Sequence, residues 1–379
     1  MFHVTHPSRG GALAHLRDAL DDLERAGLRR RPKAPRTDGG VAASFCSNDY
    51  LGLAARTAPP VATGAGASRL IVGEHAVHGT LERALSAWLG VEATLLFTSG
   101  YAANLGTVAA LAGPNDLIVS DALNHASLID GARLSQAKVV VVPHNDLAAV
   151  EAALVAHAAT RRWVLVESYY SMDADGPDLL RLREVCDRYG AGLIVDEAHA
   201  LGVLGPGGRG RCAEAGVVPD VLVGTLGKAF GSQGAFVSGT RDLRDWLWNR
   251  ARSFVFSTGL SPAAAEAGRL ALQHIQQASA EREHVARLAG RLRAGLARVG
   301  RAPVVGFGHI VPVVIGDGDV ALALAAHLKD GGIDVPAIRP PTVPRGAARL
   351  RFTVTAAHDA GLVDELVEVY QAALSRLGQ

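Results

Sequence analysis

The chain has 379 residues, 38 Lys+Arg against 37 Asp+Glu, and a formal net charge of +1. That balance gives no electrostatic reason to expect nucleic acid or an anionic membrane as partner. Hydrophobic residues at 49% and charged residues at 20% exclude disorder as the main state.

The N-terminal MFHVTHPSRGG has no apolar run behind a basic start, so no secretory signal is expected. No stretch approaches the roughly 18 consecutive apolar residues of a spanning helix. Cys46, Cys186 and Cys212 show no paired spacing and fit reduced thiols. The expectation is a cytoplasmic enzyme of about two or three domains.

Leu13, Leu16, Leu20 and Leu23 recur at three- and four-residue steps and predict a first helix. The basic, proline-containing connector LRRRPKAPRTDGG (28–40) follows it. Strands are predicted at 94–98, 117–120, 138–142, 163–167, 193–197, 221–225 and 235–239. Between them lie helical patterns over 81–89, 102–113, 146–159 and 179–190. This alternation predicts an α/β fold with a mostly parallel sheet covered on both faces.

After Ser261-Pro262 the texture changes. Helices are predicted over 262–277 and 280–299, then VVGF (304–307), HIVPVVIG (309–316), a helix near 319–331, LRFTV (350–354) and a closing helix near 359–377. Without strict alternation, that order predicts a smaller α+β C-terminal domain. The division expected is 1–45 as N-terminal helix and connector, 46–275 as the large domain and 276–379 as the small one.

In open parallel sheets, ligands bind beyond the carboxyl ends of the strands. The residues there are Ser99, Gly100 and Tyr101; Asn124 and His125; Glu167 and Ser171; Asp196 and His199; Thr225 and Lys228. Thr98-Ser99-Gly100 opens a helix, whose free N–H groups and positive dipole end form an anion cradle. Gly100 lets a phosphate approach the backbone. Asp196 ends an apolar strand and needs a cationic partner, a role that a protonated pyridine nitrogen fills. Lys228, in the Gly-rich TLGKAFG, suits a Schiff base. His125 suits stacking on a planar cofactor, and His199 suits a hydrogen bond to a phenolic oxygen. Taken singly, each has a plain structural reading as a turn, a helix start or a solvated loop. Their shared strand-end register is what describes pyridoxal 5′-phosphate.

Other chemistries fit less well. LIVDEAH looks like a Walker B strand, but Gly224–Ala229 has too few residues between its glycines, and Ala229 replaces the Mg-binding hydroxyl. Gly205-Pro206-Gly207-Gly208-Arg209-Gly210 formally satisfies G-x-G-x-x-G, yet Pro206 and the lack of a following apolar helix make it a loop. His75 and His78 have no third metal ligand, and Asp173-Ala174-Asp175-Gly176 lacks the later carboxylates of a calcium loop. No metal site is predicted.

Seven motifs together resemble the α-oxoamine synthases over nearly the whole chain. They are SNDYLGL (47–53), FTSGYAAN (97–104), LNHASLIDGARLS (123–135), ESYYSMDAD (167–175), IVDEAHALGVLGPGGRG (194–210), GTLGKAFGSQG (224–234) and RPPTVPRGAARLRFTVTAAH (339–358). The resemblance implies the aspartate aminotransferase-like fold type I of pyridoxal 5′-phosphate transferases. It also implies the decarboxylative condensation of an amino acid with an acyl thioester. By resemblance, RPPTVP with SNDYLGL points to L-alanine and a pimeloyl thioester, on coenzyme A or an acyl carrier protein, in biotin synthesis. Glycine with acetyl or succinyl thioester, or serine with palmitoyl thioester, would use the same cofactor set.

The same resemblance implies roles for single residues. Lys228 would carry the Schiff base, Thr225 a phosphate contact, Ser99, Gly100 and Tyr101 the cradle, and Ser171 a place beside the cofactor. Asp196 and His199 match the partners of the ring nitrogen and phenolic oxygen, and His125 the stacker. Arg29, Asn48, His125 and Thr342 match substrate contacts, Arg351 the grip on the amino acid carboxylate, and Glu167 a nearby position. A homodimer is implied, with Ser257 and Thr258 reaching the partner's phosphate. Arg29, Arg30, Arg31 and Lys33 suit a carrier's phosphates, although a basic run is more often a solvated face. Two departures stand out. The stretch between SNDYLGL and GAGASRL is shorter by most of a helix, with ASRLIVG replacing a more glycine-rich run, and Ala174 stands where the family often has Gly.

Overall fold

Val164, Val166, Leu193 and Val195 pack on one side of their strands, Leu165 and Ile194 on the other, and all six are buried. Strands apolar on both faces need helices on both faces. The computed structural model describes residues 15–29, 43–56, 60–300 and 304–378. Its strands are β1 Ala43–Ser44, β2 Ala93–Phe97, β3 Leu117–Asp121, β4 Lys138–Val142, β5 Arg162–Glu167 and β6 Ala191–Asp196. They continue with β7 Val221–Thr225, β8 Ala235–Gly239, β9 Ile310–Gly316, β10 Ile333–Asp334, β11 Ala337–Ile338 and β12 Ala348–Thr353. The helices are α1 His15–Arg25, α2 Ala76–Leu89, α3 Gly100–Leu111, α4 Ala126–Ser135, α5 Leu147–Ala156 and α6 Leu179–Arg188. They continue with α7 Gly210–Glu214, α8 Arg241–Arg250, α9 Arg252–Val255, α10 Pro262–Gln277, α11 Ser279–Val299, α12 Gly318–Asp330 and α13 Ala360–Arg376.

The seven predicted strands form one sheet in the order β2-β8-β7-β6-β5-β3-β4. All its pairings are parallel except those of β8, which runs antiparallel to both neighbours. Helices α3, α4, α8 and α9 cover one face through Val108, Leu128, Leu247 and Phe254. On the other face, α5 and α6 pack through Leu154 and Leu182, and α2 and α10 through Leu85 and Leu272. Beyond α10, β11-β12-β9 form an antiparallel sheet, and α11, α12 and α13 bury Leu292, Leu324 and Leu366 in the core that also holds Val311 and Phe352. The parallel pair β1-β10 joins the segment before residue 50 to this part of the chain.

The structure departs from the sequence-based expectation in a few elements. Helix α4 is not among the predicted helical patterns, and it contains Gly131. A Cβ there would lie 3.0–3.2 Å from Val108, Asn104 and Leu105 of α3, so the glycine permits a close helix crossing and does not end the helix. Helix α8, RDLRDWLWNR, is polar enough to hide its pattern. VVGF yields only a bridge from Val304 to Val313. Leu13 and the connector residues Arg30, Arg31 and Lys33 lie outside the described residues. Among the described residues, no helix is long and apolar enough to cross a membrane.

Candidate active site

Because β2, β3, β5, β6 and β7 run parallel, their carboxyl ends share one edge. The loop 226–234 turns back into antiparallel β8 and so keeps Lys228 at that edge. Ser99 caps α3, its Oγ accepting from Ala102 N–H at 3.1 Å. The N–H groups of Gly100 and Tyr101 lie ahead of the helix's own ladder and are free to bind an anion. Opposite them is Thr225, whose Oγ1 is 3.9 Å from where a Gly100 Cβ would sit. The Thr225 hydroxyl also braces the lysine loop, accepting from Gly227 N–H and donating to the Gly234 carbonyl, both at 3.1 Å.

A polar chain crosses the floor of the site. Asn104 Nδ2 donates to Asp196 Oδ2 at 2.7 Å and to Ser127 Oγ at 2.9 Å. Ser127 Oγ is in turn 2.7 Å from His125 Nδ1. Since the serine oxygen already accepts from Asn104, its proton is available for Nδ1, which leaves the His125 ring proton on Nε2. The His125 side chain is otherwise exposed, and its backbone N–H donates to Glu167 Oε1 at 2.7 Å. Asp196 is buried, accepts from Ala198 N–H at 2.8 Å, and has no ion pair among the described residues. Burial, reinforced by the Asp196 charge, pushes the Glu167 carboxyl up to about 8. Lys228 is half-buried, and its side-chain amine has no hydrogen bond among the described residues. Burial pushes its ammonium down to about 8, although Asp196 and Glu167 pull the other way.

A second chain enters from the other side. Arg351 on β12 is buried; its Nε donates to the Ser171 carbonyl at 2.6 Å, and both terminal nitrogens reach Asn48 Oδ1, at 3.3 and 3.2 Å. Among the described residues it has no carboxylate partner, an unusual state for a buried guanidinium. The Tyr50 hydroxyl lies 2.7 Å from His199 Nδ1. Burial, with the positive charges of Lys228 and Arg351, holds His199 well below the usual imidazole range, so the ring is neutral.

The sequence-predicted residues Ser99, Gly100, His125, Glu167, Asp196, His199, Thr225 and Lys228 therefore gather at one edge, with Ser171, Asn48 and Arg351 beside them. Tyr101 is exposed; its hydroxyl contacts Asp130, and its ring stands edge-on to His125 with centroids 6.4 Å apart. Arg29 pairs with Glu24 at 3.5 Å, and Arg339 donates to the Gly27 carbonyl at 2.6 Å, so the Arg29 segment adjoins the loop bearing exposed Thr342. No hydrogen bond among the described residues joins Arg29, Ser257 or Thr258 to the strand-end set. Sequence reasoning missed Tyr50, Asn104 and Ser127, although each sits inside a motif already singled out. It also missed His309, which reads as the start of an apolar strand. That ring is 4.0 Å from the ring of Tyr50, and both its nitrogens are buried without a hydrogen-bond partner among the described residues.

Residues 42–369 match the family described as aminotransferase class I and II. This chain belongs to that family. It is 46% identical to 8-amino-7-oxononanoate synthase of Aromatoleum aromaticum over 96% of this chain and 98% of that protein. The identity is also 46% with 8-amino-7-oxononanoate synthase of Anaeromyxobacter dehalogenans, over 97% of each chain. Among solved structures, serine palmitoyltransferase of Sphingomonas wittichii superposes with a TM-score of 0.90 at 28% identity, covering 97% of this chain and 99% of that one. The fold is fold type I of the pyridoxal 5′-phosphate enzymes. The donor set suits that cofactor: helix-terminal N–H groups free to bind an anion and, among the described residues, a buried carboxylate without an ion pair and a lysine whose amine has no hydrogen bond.

Proposed function

We propose that this chain is a pyridoxal 5′-phosphate-dependent C-acyltransferase. It condenses L-alanine with a pimeloyl thioester to give 8-amino-7-oxononanoate, CO2 and the free thiol, a step of biotin synthesis. The observation that carries this reading is the meeting of Lys228, Asp196, His199 and Arg351 at one strand edge, in a chain 46% identical to 8-amino-7-oxononanoate synthases along nearly its full length.

When bound, the cofactor supplies an electron sink for the pair left at the amino acid's Cα. The N–H groups of Gly100 and Tyr101, with Ser99 and Thr225, hold its phosphate. Asp196, which accepts from the N–H donors of Asn104 and Ala198, would hold a proton on the ring nitrogen. His199 donates toward the phenolic oxygen, and His125 lies against the ring face. Lys228 anchors the aldehyde and afterwards moves the Cα proton. An amine titrating near 8 is present in both protonation states close to neutral pH, which suits it to give and take that proton. Arg351 would grip the alanine carboxylate with its planar fork and so fix how the amino acid is presented to the cofactor.

Arg29 and Thr342 face the acyl chain, and the acyl carrier is coenzyme A or a carrier protein. The reading includes a homodimer, in which Ser257 and Thr258 reach the partner's phosphate. Its support is that the large apolar side chains Ile71, Val72 and Phe256 are exposed in two segments joined by Ser68 Oγ donating to the Val255 carbonyl at 2.8 Å.

The test is to offer cofactor-loaded protein alanine, glycine or serine together with pimeloyl, acetyl, succinyl or palmitoyl thioesters, and to identify the aminoketone by mass. 8-Amino-7-oxononanoate as the main product supports the reading. A glycine- or serine-derived ketone as the main product overturns it.

A further inference from the structure

We propose that Tyr50 is a positioning residue that fixes the tautomer of His199, donating its hydroxyl proton to Nδ1 and so keeping the ring proton on Nε2. This rests on the reading of His199 as a donor to the cofactor's phenolic oxygen, because only Nε2 remains for that task.

The argument is one of counting protons. Tyr50 has one hydroxyl proton and two acceptors in reach, His199 Nδ1 at 2.7 Å and Asn48 Oδ1 at 3.3 Å. The amide oxygen of Asn48 already takes both terminal nitrogens of the Arg351 guanidinium, which fill its two lone pairs with charge-assisted donors. The positive Arg351 also acts on the tyrosine oxygen itself. Its field turns the lone pairs of that oxygen toward the guanidinium and the hydroxyl proton away, toward the imidazole. The reverse chain, in which Nδ1–H donates to the tyrosine and the tyrosine to Asn48, would set the phenol dipole against that field. His199 is neutral, so it has a single ring proton to place.

The geometry is held on every side. Tyr50 is fully buried, its backbone carbonyl accepts from Ala356 N–H at 2.8 Å, and its ring meets that of His309 edge-on at 62°. Among the described residues neither nitrogen of His309 has a hydrogen-bond partner, the Tyr50 hydroxyl included, so it contributes a wall rather than a competing acceptor for the Tyr50 proton.

The test uses the full-length protein without added cofactor, labelled with 15N in its histidine rings, with the His199 signals assigned by their loss in His199→Gln. The wild-type spectrum is expected to show an unprotonated Nδ1 and a protonated Nε2. In Tyr50→Phe the two tautomers should mix. Cofactor-loaded Tyr50→Phe should lose about tenfold in kcat, with alanine KM changed less than threefold. A wild-type ring protonated on Nδ1 overturns the proposal without reference to any variant, and so does a Tyr50→Phe spectrum identical to wild type. Failure of the underlying reading looks different: His199→Gln would leave the visible absorbance of the loaded enzyme unchanged, whatever the tautomer.

Discussion

Arg351 and Asn48 meet at 3.2 Å, a buried guanidinium resting on a neutral amide oxygen. A fork held in place yet not neutralised is ready for an incoming carboxylate. Arg351→Lys keeps the charge but loses the planar pair of donors, so kcat/KM for alanine should fall about 100-fold, mostly through KM. Asn48→Ala should cost about tenfold. Steady-state rates at saturating thioester check both, and an unchanged alanine KM in Arg351→Lys would remove this arginine from substrate binding.

Lys228 titrates near 8 because burial outweighs the pull of two carboxylates. In the cofactor-free protein, reductive methylation at Lys228, followed by peptide mass, should show a midpoint near pH 8. Asp196→Asn removes one of the charges that favour the ammonium, so the midpoint should move lower still. A midpoint above 10 would show that the amine is solvated.

His144 bridges Asp121 Oδ1 at 2.8 Å and Asp175 Oδ1 at 3.1 Å. Burial pulls the ring down, but the two carboxylates win and push it up to about 10. A histidine whose folded value is raised stabilises fully below its unfolded value of about 6.5 and loses that contribution as pH rises through about 10. Urea unfolding should therefore show wild type losing about 2 kcal/mol between pH 7 and 10.5 relative to His144→Gln, a figure reduced for the solvent exposure of Asp175. Parallel pH profiles for the two proteins would refute the clasp.

Arg69 is buried against Glu82 at 2.6 Å and also pairs with Glu74, in the segment where the chain departs from its expected pattern. Its guanidinium also lies 5.2 Å from the Trp248 ring. Arg69→Met leaves Glu82 buried without its partner and should cost about 3–5 kcal/mol in urea unfolding. A loss below about 1 kcal/mol would mean that the triad is already hydrated.

Ala174 has φ +54°, a left-handed conformation that costs an L residue about 1–2 kcal/mol. Its methyl group is fully buried beside Tyr169 and Ile310, worth about 0.8 kcal/mol. Ala174→Gly relieves one and forfeits the other, so stability should change by less than about 1 kcal/mol. A large change in the melting midpoint in either direction would show that one of the two terms is misjudged.

Much of this was legible in the residues alone. The seven strands announced themselves because each is an apolar run between turns, and their carboxyl ends named most of the site. The sequence reading noted Ala174 as a replaced glycine in a turn but had no means of showing its positive φ. Nor did it reveal the partners of the site residues. Tyr50 lies 149 residues from His199, and Asn104 lies 92 from Asp196, so no local pattern links either pair. His309 looked like part of a strand because its neighbours are apolar. The need for Gly131 was invisible because the α3 backbone that requires it is remote in sequence.

The lysine loop joins two hydrogen-bonded neighbours, with Thr225 paired to Ala235 across its mouth. Inside it, Leu226 N–H donates to the Gly234 carbonyl, Gly231 N–H to the Lys228 carbonyl and Ser232 N–H to the Leu226 carbonyl. A loop knitted this closely has no slack to absorb an insertion. One extra residue between 226 and 234 would have to be taken up by sliding β8 a step along β7, which turns Phe236 and Val237 to the wrong sides of the sheet. Evolution can therefore tune the side chains around this amine, but it cannot lengthen the tether without dismantling the sheet that carries it.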